Sequence, residues 1–291
     1  MYSQIDSNKR KTWILIFIFL LFLAGVGYAF GVYMGEPIVG LILAGIAGLI
    51  MTLVSLYKGD KVALATAGAK QISKKDNAYV YNMVENLAIT AGLPMPKVYI
   101  IHDPAINAFA TGRDPKHASV AVTTGAIDTL ENEELEGVLA HELSHIQNYD
   151  IRIMTVVIVL VGLIALISDL LLRMHIWGGR HRDKNGSGWL ILVGILLAIL
   201  SPIIANIIKL AISRKREYLA DASGSLLTRY PEGLAKALEK IHKQNKPMQR
   251  ANNATAHLFL SSPFGSVRKG LSKLFATHPP IEDRIKVLRK M

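Results

Sequence analysis

Apolar residues along this chain are gathered into four long stretches separated by segments of ordinary polarity. Trp13–Met34 runs 22 residues without a charge and Pro37–Tyr57 runs 21. Trp189–Ile208 adds 20, and Ile153–Ser168 adds 16 before Asp169 and three leucines. A helix needs about 20 apolar residues to cross a ~30 Å hydrocarbon layer, so each stretch predicts a membrane span. The third is the least self-sufficient, because Asp169 must sit near an interface or face a partner. Three basic residues precede the first stretch, as in a signal peptide, but its apolar core is too long and a second span follows at once. An uncleaved helical hairpin is the better reading. Gly40, Ala44 and Gly48 share one face of its second helix and suit close packing.

The intervening segments carry other periods. Val80, Met83, Val84, Leu87 and Ala88 recur at helical spacing within Asp76–Gly92. Lys97–Ile101 and Ser119–Thr123 are β-branched runs bounded by Pro and Gly, and Asn107–Thr111 is a candidate third strand. A helix opens at Asn132, where Glu133, Glu134 and Glu136 suit the positive end of the dipole. Two more helices are expected, one to about Leu227 and one at Gly233–Gln244, followed by a polar, mobile loop at Lys246–Ala254. The chain therefore divides into a membrane hairpin at 1–57, a first catalytic part at 58–152, a second membrane hairpin at 153–212 and a second catalytic part at 213–291. The expected class is α+β: about four transmembrane helices carrying a domain with a small β-sheet.

A net charge of +11 raises the question of nucleic acid. Its positions answer against it, because Lys9, Arg10, Lys11, Lys58, Lys61, Arg152, Lys209, Arg214, Lys215 and Arg216 all flank apolar stretches. That distribution orients a membrane protein with both polar parts in the cytoplasm and attracts anionic lipid. The loop Arg173–Gly188, with Arg173, Arg180, Arg182 and Lys184, runs against this orientation if it is external. The absence of cysteine excludes disulfides and thiolate metal sites.

Candidate chemistry begins at His141-Glu142-Leu143-Ser144-His145. On a helix, positions i and i+4 lie about 40° apart, so two imidazoles can converge on one ion while Glu142 reaches a water beside it. Leu135, Val138, Leu139 and Ile146 supply the helical spacing. A catalytic zinc site needs a third protein ligand. The extension with glycine and a third histidine is missing, since Asn148 and Ile151 stand at those places. Beyond the fourth span, Glu217 and Asp221 form another i, i+4 pair. Glu217 can ligate, and Asp221 can accept the second N–H of a ligating histidine. The lesser alternative for the pair taken alone is a solvated acidic patch balancing Arg214 and Arg216. If unbroken helices joined His145 to Ile153 and Ile208 to Glu217, at about 1.5 Å per residue both groups would stand some 12–14 Å from the span ends. They would meet provided that spans three and four both cross or neither does.

These residues, with Thr277-His278-Pro279-Pro280 and Arg284, resemble the HtpX-type membrane metallopeptidases, which are related to the zinc proteases that trim prenylated CaaX proteins. The resemblance covers nearly the whole chain. It implies a zincin-type domain with one Zn2+ held by His141, His145 and Glu217, with Glu142 as catalytic base and Asp221 behind the ligands. It also makes His278 and Arg284 candidate catalytic donors to the oxyanion. Alone, His278 reads as a turn residue and Arg284 as a partner of Asp283 or Glu282. Asn107, Ala108, Phe109 and Ala110 resemble the edge strand that borders the cleft and binds an extended substrate; an ordinary core strand with Phe109 inward is the plainer reading. The expected activity is zinc-dependent endopeptidase action on misfolded or membrane polypeptides. The expected place is the bacterial inner membrane, with the active site facing the cytoplasm and a role in quality control. One rival is a zinc-binding scaffold or chaperone without proteolysis, which has no need of Glu142. Another is a metal transporter, which the lack of ionisable residues inside the first two spans disfavours.

Overall fold

The computed structural model describes residues 2–160, 162, 214–250, 255–265 and 279–291. Helix α1 (Tyr2–Met34) and helix α2 (Pro37–Ala67) form the expected hairpin, turned at Gly35 with φ +82°. Their packing rests on missing side chains. A Cβ on Gly40 would run into the Gly27 carbonyl and lie 2.7 Å from the Gly31 Cα, and one on Gly27 would overlap the Ala44 Cβ. Ile5–Val32 and Pro37–Ala67 are the segments long and apolar enough to cross a membrane among the described residues. Trp189–Ile208, the part of the third stretch at 161 and 163–168, and the Arg173–Gly188 loop lie outside those residues.

Helix α2 continues past its last apolar turn. Residues beyond Lys58 enter the polar domain, where Ala63, Leu64 and Ala67 are buried. There they meet a four-stranded sheet of β1 (Ala69–Gln71), β2 (Lys97–Ile101), β3 (Ala108–Gly112) and β4 (Ala118–Thr123), in the order β1-β2-β4-β3. Strands β2 and β4 are parallel; β1–β2 and β3–β4 are antiparallel, with Ala108 opposite Val122 and Ala110 opposite Val120. Strand alternation sends the two sets of side chains to two cores. Val98, Ile100, Ala108, Ala110, Val120 and Val122 face α3 (Ala78–Thr90) and α5 (Asn132–Gln147). Ile101, Phe109 and Ala121 face the end of α2 together with Met154, Ile158 and Phe259. With both faces covered, the strands read as continuous apolar runs.

The short helix α4 (Thr124–Thr129) leads into α5, the central helix. The Glu134 carboxylate accepts the Glu131 N–H at 2.9 Å and pairs with Lys240 at 2.7 Å. Beyond Gln147 the expected unbroken helix does not occur. Asn148 and Tyr149 form a turn, with Tyr149 left-handed at φ 59°, and a new helix, α6, spans 150–160. Its residues Val156 and Leu160 pack on Ile16, Phe19 and Leu23 of α1. Helix α7 (Arg214–Thr228) lies on α5, close enough that a Cβ on Gly224 would sit 2.9 Å from the His141 nitrogen. Helices α8 (Pro231–Gln244) and α9 (Ile281–Leu288) complete the layer. The described part of the expected loop at Lys246–Ala254 is anchored: Met248 is buried, and the Gln249 N–H donates to Asp103 at 2.7 Å.

Candidate metal centre

Helix α5 turns His141 and His145 to one point, and α7 brings Glu217 to the same point. The two Nε2 atoms are 3.2 Å apart, and each lies 3.8 Å from an oxygen of Glu217. All three residues are buried, and their candidate ligand atoms lie within 4.8 Å of one another. Ligands at about 2.0–2.2 Å from a tetrahedral ion stand roughly 3.3–3.5 Å apart, so the spacing fits.

The outer nitrogens explain why the inner ones converge. His145 Nδ1 is 3.0 Å from Asp150 Oδ2, and His141 Nδ1 is 2.9 Å from Asp221 Oδ1, the latter off the straight line of a hydrogen bond. Each carboxylate favours a proton on the δ nitrogen and so leaves an ε lone pair facing the centre. Two lone pairs and a carboxylate at such range require positive charge between them. Burial lowers the pKa of His141 to about 4, assisted by the nearby Arg284 charge against the raising contact with Asp221. Burial also pulls His145 down, but the hydrogen bond to Asp150 and the charges of Glu217 and Glu142 prevail and hold it at about 9. A divalent ion seated between the two inner nitrogens would take the place of any proton held there. The residues fit a metal.

The carboxylates are fixed in their turn. Arg284, with no exposed surface, donates from Nε and Nη2 to both oxygens of Asp221 at 2.9 and 2.6 Å, and its Nη1 is 3.7 Å from Glu217. Burial raises the pKa of Asp221, but Arg284 and His141 outweigh it and bring the value to about 2. This places Arg284 behind the ligands, where two of its three nitrogens are held by Asp221. Asp150 receives Arg216 Nε at 2.9 Å and Asn8 Nδ2 at 2.7 Å, both at Oδ1. Asn8 comes from α1, so the first membrane helix reaches the support of a ligand. Asp150 and Asn8 were absent from the sequence reading, and Arg216 entered it only as a flanking basic residue and a counter-charge for Glu217 and Asp221. Changing Asp150 to Asn is expected to weaken metal binding about 10- to 100-fold, read by competition with a chromophoric chelator.

Glu142 sits one residue from His141, buried at 2% exposure, with the Ala110 N–H of β3 on its carboxylate. Burial raises its pKa to about 7, with the Glu217 charge adding to the rise and His145, Ala110 and Arg284 opposing it. A carboxyl group balanced near neutrality can take and return a proton.

The strand expected to face substrate is an edge strand, and its outer side is largely engaged. The Leu260 N–H donates to the Ala108 carbonyl at 3.0 Å. Asn107 donates to the Ser261 carbonyl at 3.1 Å and accepts the Ser261 N–H at 3.3 Å. The Thr155 hydroxyl meets both the N–H and the carbonyl of Gly112, at 3.0 and 3.1 Å. Phe109 points to the opposite face of the sheet, edge-on to Phe259 at 5.1 Å, because strand alternation places it one residue out of phase with Ala108 and Ala110, which face α5. Of the group Asn107, Ala108, Phe109 and Ala110, Ala110 meets Glu142 through its main chain, and Ala108 lies in the core that α5 shares. His278 lies outside the described residues.

A buried His-His-Glu centre with a carboxylic acid beside it, on a domain rooted in an apolar helical hairpin, defines a membrane metallopeptidase. A family model, Peptidase family M48, matches residues 74–291, and the chain belongs to that family. A protease HtpX homolog from Tropheryma whipplei (strain Twist) is 47% identical over 291 residues, covering 100% of this chain and 98% of the relative. Another, from Thermoanaerobacter pseudethanolicus, is 48% identical over 296 residues, again with 100% and 98% covered. The crystal structure of S. mikatae Ste24p shares the fold at a TM-score of 0.53 and 17% identity, over 99% of this chain and 67% of that one. The protein is thus an HtpX-like membrane metalloprotease whose substrates are polypeptides.

Proposed function

We propose that the protein is a zinc-dependent endopeptidase of the bacterial inner membrane that cuts misfolded or membrane polypeptides on the cytoplasmic side, as a quality-control protease. The observation that carries this reading is the meeting of His141, His145 and Glu217 at one buried point with Glu142 beside them. Two imidazoles and one carboxylate form a donor set suited to zinc with a position left open for water or substrate. Bound there, the ion would supply Lewis acidity toward water and toward the scissile carbonyl. Glu142 takes a proton from the attacking water and returns it to the leaving amine. Asp150 and Asp221 hold the rings, and Arg284 holds Asp221 next to Glu217. Arg284 acts chiefly by position, and on the resemblance His278 is the residue that donates to the oxyanion.

Substrate class and orientation rest on other features. An extended chain adding along the outer side of β3 must displace Leu260 and Ser261 from Asn107 and Ala108, which favours loosely folded segments that offer free main-chain groups. Basic residues at both ends of the hairpin favour a cytoplasmic domain. The division into hairpins 1–57 and 153–212 and catalytic parts 58–152 and 213–291 belongs to the same reading, supported by the packing of α6 on α1. The test uses detergent-solubilised protein stripped with a chelator. Added zinc is expected to restore cleavage of an unfolded substrate, and magnesium is expected to leave it inactive. Full activity in the stripped protein would remove the metal from the reaction.

A further inference from the structure

A second polar feature lies at the junction of the membrane hairpin and the domain. A cavity of about 390 Å3 opens between Leu56–Lys61 of α2, the start of β2 and the β3–β4 loop. Lys58, Lys61, Lys97, Arg113 and Lys116 line it, against a single carboxylate, Asp60. Arg113 is partly balanced, 3.4 Å from Asp114 and stacked 4.8 Å over the Tyr57 ring. None of the four lysines forms an ion pair among the described residues. Cations drawn into one hollow without partners repel one another, and an anion seated among them relieves that repulsion.

The approach to the cavity says which anion. Leu49, Leu53 and Tyr57 are exposed at 59%, 48% and 59% along the apolar part of α2. They follow one another at i, i+4 spacing, and Lys61 continues the same row into the cavity. An apolar stripe therefore leads from the membrane interior to a cationic hollow at the end of the span. The floor is polar and buried, formed by Ser119 and Thr155. That sequence of surfaces matches an acyl chain followed by a phosphodiester headgroup; free phosphate shares only the second part.

We propose that this cavity binds the headgroup of an anionic phospholipid from the leaflet adjoining the domain, with its acyl chains along Leu49, Leu53 and Tyr57. The site is separate from the metal centre, and occupancy does not depend on proteolysis. It has a structural link to β3 through Thr155, which lines the cavity and whose hydroxyl meets Gly112.

The test places metal-loaded full-length protein in nanodiscs of phosphatidylcholine, with and without phosphatidylglycerol, and reads the unfolding temperature and the lipid retained in native mass spectra. Phosphatidylglycerol is expected to raise the unfolding temperature of wild type and to stay bound. Lys61→Glu with Lys116→Glu is expected to lower apparent affinity for that lipid about tenfold or more, given the worth of each basic residue at an anionic surface. The milder pair Lys61→Gln with Lys116→Gln, which carries less risk to folding, is expected to give a smaller loss in the same direction. Lys236→Glu with Lys290→Glu makes the same change in net charge elsewhere and is expected to behave as wild type. Equal loss in that control would reduce the effect to general electrostatics and overturn the site. Equal stabilisation by inorganic phosphate in phosphatidylcholine nanodiscs would overturn the lipid as occupant.

Discussion

Glu142→Gln is expected to lower peptide hydrolysis at least 10²- to 10⁴-fold, the usual worth of a positioned general base, while metal content stays at the wild-type level. Glutamine preserves the shape of the side chain and keeps an oxygen for the Ala110 N–H. Alanine would leave that donor unsatisfied in a buried place and add a structural cost to the chemical one. The amide cannot accept a proton at neutral pH, so the variant isolates proton transfer from metal binding. The measurement pairs cleavage of an unfolded substrate with metal stoichiometry by emission spectroscopy. A scaffold or chaperone using the same ion has no call on Glu142, because that residue is not among the convergent ligands. Wild-type cleavage by the glutamine variant would remove the assigned base, and the proposed mechanism with it.

The parts of this centre that were legible beforehand are those that lie on single helices. His141 and His145 share a face because i and i+4 nearly superpose on a helix, and the same rule relates Glu217 to Asp221. Leu135, Val138 and Leu139 gave α5 its period, and all three are buried. Strands β2, β3 and β4 could be read from short apolar runs, whereas β1, three residues at the end of a long helix, carries too little pattern of its own. Asp150 was hidden for a geometric reason. On an unbroken helix, a residue five places after His145 points about 140° away from it. The left-handed Tyr149 breaks α5 and folds Asp150 back under the His145 ring. Arg284 belongs to a different category: it reaches Asp221 across 63 residues of chain, and only tertiary packing specifies that meeting. The cover over Asn107 and Ala108 by Leu260 and Ser261 is likewise a contact between distant segments, with no local signature in either.

Glu217→Ala is expected to have the second large effect, and of a different kind: loss of the ion itself. Glu217 is the only carboxylate placed between both ring nitrogens, 3.8 Å from each, among the described residues. Its removal leaves two imidazoles, one fewer ligand than a catalytic zinc site uses. Affinity is therefore expected to fall by more than the roughly 10- to 100-fold that loss of an outer carboxylate costs, and proteolysis with it. The fold should persist, because the bidentate contact of Arg284 with Asp221 does not pass through Glu217. Circular dichroism and chelator competition on the same sample separate the two outcomes. The contrast with Glu142→Gln carries the argument: that variant keeps the metal and loses turnover, whereas Glu217→Ala loses turnover because it loses the metal. High zinc should then partly rescue Glu217→Ala and leave Glu142→Gln inactive. A Glu217→Ala protein that binds zinc as tightly as wild type would show that the third ligand lies elsewhere in the chain.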